Sequence, residues 1–479
     1  MFFIGIDRKS AQSLSHQIYS EIREKILQGQ LKGGHRLPAS RTLSEELRVS
    51  RNVVVSAYDQ LYAEGYLETK QGDGSFVAEG LHSLPENKDL LTPLLAPIPP
   101  MTLSGFDSSL IDFRSGLPDL NLFPAKQWLG HYRAVLDHLK AVDLAYGPPE
   151  GRWELRQSIA EYLKSARGLQ CDPRQILITS GTTQAISLVT KLILSSGKKQ
   201  DVILEDPITG DISRIIELNG GVCHPIPINQ KGLDVRDISE DLSPGFCYVT
   251  PSHQYPLGGT LSITRRIRLI EYARLKDCFI LEDDYDSEFR YDVQPLQPLY
   301  ELDKNRVIYC GTFSKTLCPA LRTAYLILPP ALLETARRLK WYADLHNATL
   351  DQLVLSRFID SGDYIRHIGK MKKRYKSRRS ILLNALSLHF ADSIEILGAA
   401  AGLHLCVRFP GQIFDRQTIL ELKIKGLILY PVAIHSQFPD QYEDTLIFGY
   451  GILSSHKMEK GIMILKEYLL KFPGSSSHK

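Results

Sequence analysis

No two of the seven cysteines form a Cys-x-x-Cys pair, and their number is odd: Cys171, Cys223, Cys247, Cys278, Cys310, Cys318 and Cys406. Neither a disulfide framework nor a zinc knuckle is supported, so no metal site is expected and reduced, mostly buried thiols are. No stretch approaches the ~18 uninterrupted apolar residues of a membrane span. The opening Met1-Phe2-Phe3-Ile4-Gly5 lacks the basic start of a secretory signal. A cytoplasmic protein without membrane contact is the expectation. Net charge is only +3, too small to imply a polyanionic partner by itself. One core rarely grows past ~250–300 residues, so a chain of 479 is expected to form at least two domains.

Charge is unevenly placed. Residues 23–51 carry seven basic side chains (Arg23, Lys25, Lys32, Arg36, Arg41, Arg48, Arg51) against three acids, and residues 366–379 carry eight with no acid. Both clusters could meet phosphates. In the second, Ile365, Ile368 and Met371 offer an apolar helix face. A solvated basic face is the preferred reading there, with DNA contact as the alternative.

The organisation divides into three parts. Residues 1–80 read as a compact unit. Over 81–110, Pro85, Pro93, Pro97, Pro99 and Pro100 interrupt any periodic pattern, which suits an extended linker. From 111 to 479, short apolar strands (176–179, 202–205, 247–250, 279–281, 307–310) alternate with amphipathic helices. That alternation implies βαβ units and a mostly parallel sheet. From about residue 344 the pattern turns helix-rich and then mixed, as for a smaller C-terminal lobe. The expected fold class is multidomain, a small α+β unit followed by a large α/β unit.

In the first unit Leu14, Ile18, Ile22 and Ile26 recur every four residues, the apolar stripe of a helix. Pro38-Ala39-Ser40 opens a short helix capped by Ser40, with Leu43 and Leu47 facing inward. Ser50 caps a third helix whose apolar face is Val54, Ala57, Tyr58 and Leu61. Arg51, Asn52 and Val55 then point away from that core, near the helix N-terminus, where a recognition helix meets base edges. Arg and Asn have the donor geometry to read guanine and adenine. Strand-like runs on either side of Gln71-Gly72-Asp73-Gly74-Ser75 make a hairpin with Lys70 and Gln71 at its tip.

Leu37-Pro38-Ala39-Ser40-Arg41-Thr42-Leu43, Val49-Ser50-Arg51, Glu64-Gly65-Tyr66-Leu67 and Gly72-Asp73-Gly74-Ser75-Phe76-Val77 resemble the signature of GntR-type winged helix regulators. The resemblance implies DNA contacts from Arg41, from Ser50, Arg51, Asn52 and Val53, and from Gln71 and Gly72 of the wing, with Lys70 beside them. The alternative is a small helical domain that binds protein.

Three features of the large unit converge. Gly311-Thr312-Phe313-Ser314-Lys315 follows a strand, and a lysine there can form a Schiff base with an aldehyde. Thr312, Ser314 and Arg322 suit a phosphate dianion, which Arg can bind bidentately. Leu281-Glu282-Asp283-Asp284-Tyr285 ends a buried strand, where acids need a cation. A protonated pyridine nitrogen is such a cation; Asp283 takes that role and Tyr285 the ring's phenolic oxygen. Ser180-Gly181-Thr182-Thr183-Gln184 opens a helix after a strand, and backbone N–H groups at a helix start hold phosphate.

Together these strings resemble fold-type-I aminotransferases, from Asp112-Phe113-Arg114-Ser115-Gly116 through Tyr146-Gly147-Pro148 to about Leu453. The resemblance implies a fold-type-I transferase domain with pyridoxal 5′-phosphate on Lys315, contacted by Asp283, Tyr285, Gly181, Thr182, Thr183, Thr312, Ser314, Arg322 and Tyr255. It also implies a homodimer in which Tyr146 reaches the neighbour's phosphate site. A GntR-type head on such a body is the architecture of the MocR family of bacterial regulators. That family implies a domain-swapped dimer on double-stranded promoter DNA.

The chain departs from the aminotransferase pattern in three places. Tyr255 of Tyr255-Pro256-Leu257-Gly258 replaces the asparagine of Asn-Pro-x-Gly. Ile452 stands where an Arg would hold an amino acid carboxylate. Glu205-Asp206-Pro207 is followed by Ile208-Thr209-Gly210-Asp211, without the aromatic and Arg of relatives that sense 4-aminobutyrate. An unpaired buried carboxylate is costly, which argues against an α-amino acid ligand and against efficient transamination. The expectation is a regulator, not an enzyme, whose effector is pyridoxal 5′-phosphate itself, as in PdxR-like members that control vitamin B6 supply. A regulator sensing another small amine or amino acid, and an aminotransferase with a vestigial head, are the alternatives.

Overall fold

The computed structural model describes residues 4–70, 73–80, 109–195, 197, 199–292 and 296–471. The chain separates into two compact units, Met1–Gly105 and Phe106–Lys479. Most of the expected linker, residues 81–108, lies outside the described residues.

The first unit is built on the expected stripe. In the helix Leu14–Leu27, Ile18, Ile22 and Ile26 are buried and Leu14 is half-buried. Leu43 of the helix Ser40–Leu47 and Val54, Ala57, Tyr58 and Leu61 of the helix Arg51–Ala63 close the same core. Each such Leu or Ile contributes ~1.5–3 kcal/mol by leaving water. Between the last two helices Arg48 adopts a left-handed conformation (φ 52°), and the N–H of Val49 returns to the Ser44 carbonyl at 3.0 Å. The strands Leu67–Lys70 and Gly74–Val77 pair antiparallel as the hairpin.

One capping expectation is corrected. Ser40 is the first residue inside its helix, and the cap position is Ala39, which offers no side-chain bond. The Ser40 hydroxyl instead accepts from Arg51 Nε at 3.4 Å. Ser50 does occupy the cap position of the third helix, but its side chain makes no capping bond.

In the large unit a seven-stranded sheet runs in the order Ile176–Thr179, Ala324–Ile327, Val307–Thr312, Phe279–Asp284, Phe246–Val249, Asp201–Asp206, Val222–Pro227. Ala324–Ile327 is antiparallel to both neighbours, and the other pairs are parallel. Successive residues feed opposite faces, as the period of two requires. Ile176, Ile178 and Ile203 join one core, whereas Leu177, Val202 and Leu204 join the other. Covered on both faces, the strands read as unbroken apolar runs.

The smaller lobe is a four-stranded antiparallel sheet, ordered Glu395–Leu397, His404–Arg408, Thr445–Gly449, Tyr430–Pro431. The helices Asp363–Phe390 and Ser455–Lys471 cover it. Its core also takes in the start of the unit. Ile111–Asp112 pairs in parallel with Leu427–Ile428, and Phe113 is fully buried against Phe448.

Candidate functional site

The strand Phe279–Asp284 carries three consecutive acids into the interior, and each meets a different environment. Glu282 accepts from the backbone N–H groups of Leu299 and Tyr300, both at 2.9 Å. Asp284 takes Arg167 Nη2 at 2.6 Å and the Tyr309 hydroxyl at 2.6 Å. Asp283 points to the opposite face. Its Oδ2 accepts from the Tyr248 hydroxyl at 2.5 Å, while its Oδ1 is buried without a hydrogen-bond partner among the described residues. Burial pushes the Asp283 carboxyl up to about 6, against the lowering effect of the Tyr248 bond. Asp284 also keeps one buried oxygen without a partner among the described residues, but it already holds Arg167, so Asp283 is the aspartate that has no ion pair of its own.

Lys315 follows the end of the adjacent strand Val307–Thr312. Its Nζ donates to the Gly116 carbonyl at 2.7 Å, and burial lowers its pKa, opposed by the charges of Asp286 and Asp283. A Cβ at Gly116 would lie 3.0 Å from Nζ, and φ there is +78°, so glycine is needed for this approach.

Gly181 and Arg322 meet in the same way. Gly181 (φ +84°) precedes the helix Thr182–Leu194, and a Cβ on it would lie 2.5 Å from Arg322 Nη2. Arg322 Nη2 donates to the Ser180 carbonyl at 2.8 Å. Nearby on the strand end, Thr312 Oγ1 donates to Ser314 Oγ at 3.1 Å. Thr182 is half-buried in the first helical turn and Thr183 is exposed. A helix N-terminus, a guanidinium and two hydroxyls are the donor set that a phosphate dianion takes.

Tyr255 and Tyr285 pack edge to face with ring centroids 6.3 Å apart. The Tyr255 and Ser115 hydroxyls are 3.0 Å apart, and the Tyr285 hydroxyl lies 3.1 Å from His253 Nδ1. Tyr146 stands apart from these groups in its own chain. It is 80% exposed, with its ring edge-on to that of His346.

The cation beside Ile452 is engaged. Arg378 donates to the Gly451 carbonyl and binds Asp119 at 2.6 Å. Arg114 is paired with Asp112 at 2.5 Å. Ile452 itself packs against the core of the smaller lobe.

The same pairing changes the picture of the basic helix. Arg378 and Arg379 are buried, the latter on Asp292 at 2.6 Å. The buried face is Tyr364, His367, Met371, Tyr375, Arg378 and Leu382. Ile365, expected on that face, is 52% exposed. Lys370, Lys373, Arg374 and Lys376 remain exposed.

On the first unit Arg41, Ser50, Arg51 and Asn52 are exposed and Val53 is half-buried. Arg41 has only a loose ion pair with Glu45 at 3.6 Å. Lys70 ends its strand beside Glu79 at 3.4 Å and over the Phe76 ring. Gln71 and Gly72 lie outside the described residues.

Two family models match this arrangement: bacterial regulatory proteins of the gntR family over residues 14–77, and aminotransferase class I and II over residues 130–428. The probable rhizopine catabolism regulatory protein MocR of Rhizobium meliloti is 31% identical, covering 98% of this chain and 97% of that protein. The chain belongs to the MocR family. The pyridoxine biosynthesis regulator PdxR of Corynebacterium glutamicum is 32% identical over 94% of both chains. Among solved structures, kynurenine aminotransferase of Pyrococcus horikoshii, in complex with PMP, superposes with a TM-score of 0.69 at 27% identity, covering 76% of this chain and 92% of that one.

This MocR-family protein thus joins a DNA-binding unit to an aminotransferase fold that binds pyridoxal 5′-phosphate. The residues present fit the group: the unpartnered Asp283 Oδ1 can accept from a protonated pyridine nitrogen. When bound, the cofactor supplies an aldehyde within a strongly electron-withdrawing ring. Among the described residues no helix of this MocR-family protein is long and apolar enough to cross a membrane.

Several contributors were not singled out from sequence: Tyr248, Gly116, Ser115, His253, Asp286 and Arg167. Tyr248 had one available signal, since a buried carboxylate needs donors and adjacent strands supply them. Arg167 had none, because it arrives from 117 positions away.

Proposed function

We propose that this MocR-family regulator responds to pyridoxal 5′-phosphate itself, and so controls the synthesis or salvage of vitamin B6. Lys315 carries the cofactor, Asp283 meets its ring nitrogen, and Tyr285 and Tyr255 line its phenolic edge. Gly181, Thr182, Thr183, Thr312, Ser314 and Arg322 hold its phosphate. The observation that carries this reading is the state of the cation beside Ile452: Arg378, which donates to the Gly451 carbonyl, is committed to the buried Asp119. An amino acid carboxylate there would have to break a buried pair, at a cost of about 3–5 kcal/mol. The same cost opposes transamination, so the fold serves as a sensor without turnover.

On the first unit Arg41, Ser50, Arg51, Asn52, Val53, Lys70, Gln71 and Gly72 form the DNA face. The protein acts as a homodimer, with Tyr146 completing the phosphate site of the second chain. The exposure of Val142 and Leu144 beside Tyr146, 68% each, supports a covering partner. The family resemblance extends this to a domain-swapped arrangement.

The test is to titrate cofactor-free protein on its promoter with pyridoxal 5′-phosphate, and then to scan amino acids against the loaded form. The expected result is a change in DNA affinity or footprint with the cofactor alone. A footprint indifferent to the cofactor and altered by one amino acid would overturn the assignment.

A further inference from the structure

Behind Tyr285 lies a buried couple that the cofactor contacts do not use. His253 Nδ1 is 3.0 and 3.1 Å from the two oxygens of Asp286, and 3.1 Å from the Tyr285 hydroxyl. His253 and Asp286 are both buried. Gly402 closes over them with φ +79°: a Cβ there would lie 2.5 Å from Asp286 Oδ2 and 2.6 Å from His253 Nδ1. The neighbouring ring is His404, 5.2 Å away by centroid, whose Nε2 lies 2.9 Å from the Pro256 carbonyl and so donates to it. Lys315, Asp283, Tyr255, Cys406, Arg290, Tyr291 and Tyr450 are the other ionisable groups whose charges act on this corner.

The geometry decides the tautomer of His253. A bare Nδ1 lone pair facing an ionised carboxylate at 3.0 Å is repulsive, so Nδ1 carries the proton and donates it to Asp286. His253 Nε2 is buried with no hydrogen-bond partner among the described residues. An N–H there would be an orphaned buried donor, which is more costly than an unfilled acceptor, so the ring is neutral. With its Nδ1 protonated, His253 cannot accept from Tyr285. The Tyr285 oxygen faces the shared Nδ1–H, and its own hydrogen is left to point elsewhere.

We propose that His253 and Asp286 are positioning residues for Tyr285, locking its hydroxyl as a donor toward the cofactor's phenolic oxygen and thereby governing protonation of the Lys315–cofactor link. The proposal rests on the assignment of Tyr285 to the phenolic edge. A donor to that oxygen stabilises the form in which the oxygen bears full negative charge and the link is unprotonated. Weakening the donor therefore raises the pH at which the link loses its proton.

The experiment is a spectrophotometric pH titration of the loaded wild type, Tyr285→Phe, His253→Phe and Asp286→Asn, and of each of the last two combined with Tyr285→Phe. In Asp286→Asn a neutral amide oxygen replaces the carboxylate to which Nδ1–H donates, so the ring keeps its tautomer but is held less firmly against the Tyr285 oxygen, and the Tyr285 hydroxyl is freed to turn from the cofactor. Both His253→Phe and Asp286→Asn should raise the midpoint by roughly 0.5–1.5 pH units, no further than Tyr285→Phe does. Neither should add to Tyr285→Phe.

The sign separates this from a purely electrostatic role. Loss of the Asp286 charge acting directly on the link would lower the midpoint. An unchanged or lowered midpoint, or an equal shift in the Tyr285→Phe background, would overturn the proposal. Should His253→Phe fail to fold, the isosteric Asp286→Asn carries the test alone. A wild type without any lysine-linked chromophore would instead refute the cofactor site, and this inference with it.

Discussion

Tyr248 donates its hydroxyl to one oxygen of Asp283 at 2.5 Å and leaves the other oxygen without a partner among the described residues. The half-satisfied carboxyl is raised by burial to about 6. In the cofactor-free protein the folded state thus keeps a proton that the unfolded chain releases near ~3.9. Stability from this source is complete below the unfolded value and is lost as pH rises through about 6. In thermal melts of cofactor-free protein, wild type should lose stability relative to Asp283→Asn between pH 4 and 7. A difference that is flat, or that grows with pH, would contradict the environment assigned to Asp283.

Lys315 is held by Gly116 next to that carboxylate. Borohydride reduction of the loaded protein should leave a pyridoxyl group on Lys315, detectable by peptide mass spectrometry. Lys315→Ala should lose the covalent link. A label found on another lysine would displace the assignment.

Arg51 and Arg41 are exposed on the first unit, at the start of the third helix and in the second. If Arg51 reads a base edge, Arg51→Ala should cost about 1–3 kcal/mol on the specific duplex and relax specificity at one position. If Arg41 holds a phosphate, Arg41→Ala should weaken all sequences alike and reduce the salt slope. Binding curves on specific and random duplexes at several salt concentrations distinguish the two roles.

The buried pair Arg378–Asp119 ties the long helix to the turn preceding Leu120–Leu122. Arg378→Ala leaves Asp119 buried without its cation and should destabilise the large unit by about 3–5 kcal/mol in denaturant titrations. Charge reversal at the exposed Lys373 and Arg374 should stay within ~0.5 kcal/mol. If their face is simply solvated, those reversals also leave the salt dependence of DNA binding unchanged.

The amino-acid sequence by itself determined the elements and their faces. The four-residue spacing of Ile18, Ile22 and Ile26 and the apolar run 176–179 state a local period, and a period says which side is buried. It also placed Gly181, Asp283 and Lys315 at strand ends, because each sits beside such a run. Tertiary structure alone decided what those faces meet. It paired Asp284 with Arg167 and gave Asp283 no cation but the hydroxyl of Tyr248. It buried Arg378 and Arg379, which in sequence look like part of a solvated basic run, and it joined Ile111 to Leu427 across more than half the chain. The reason is physical: periodicity is set by residues a few positions apart, whereas the partner of a buried charge is set by desolvation, which any distant group of the right sign can offset.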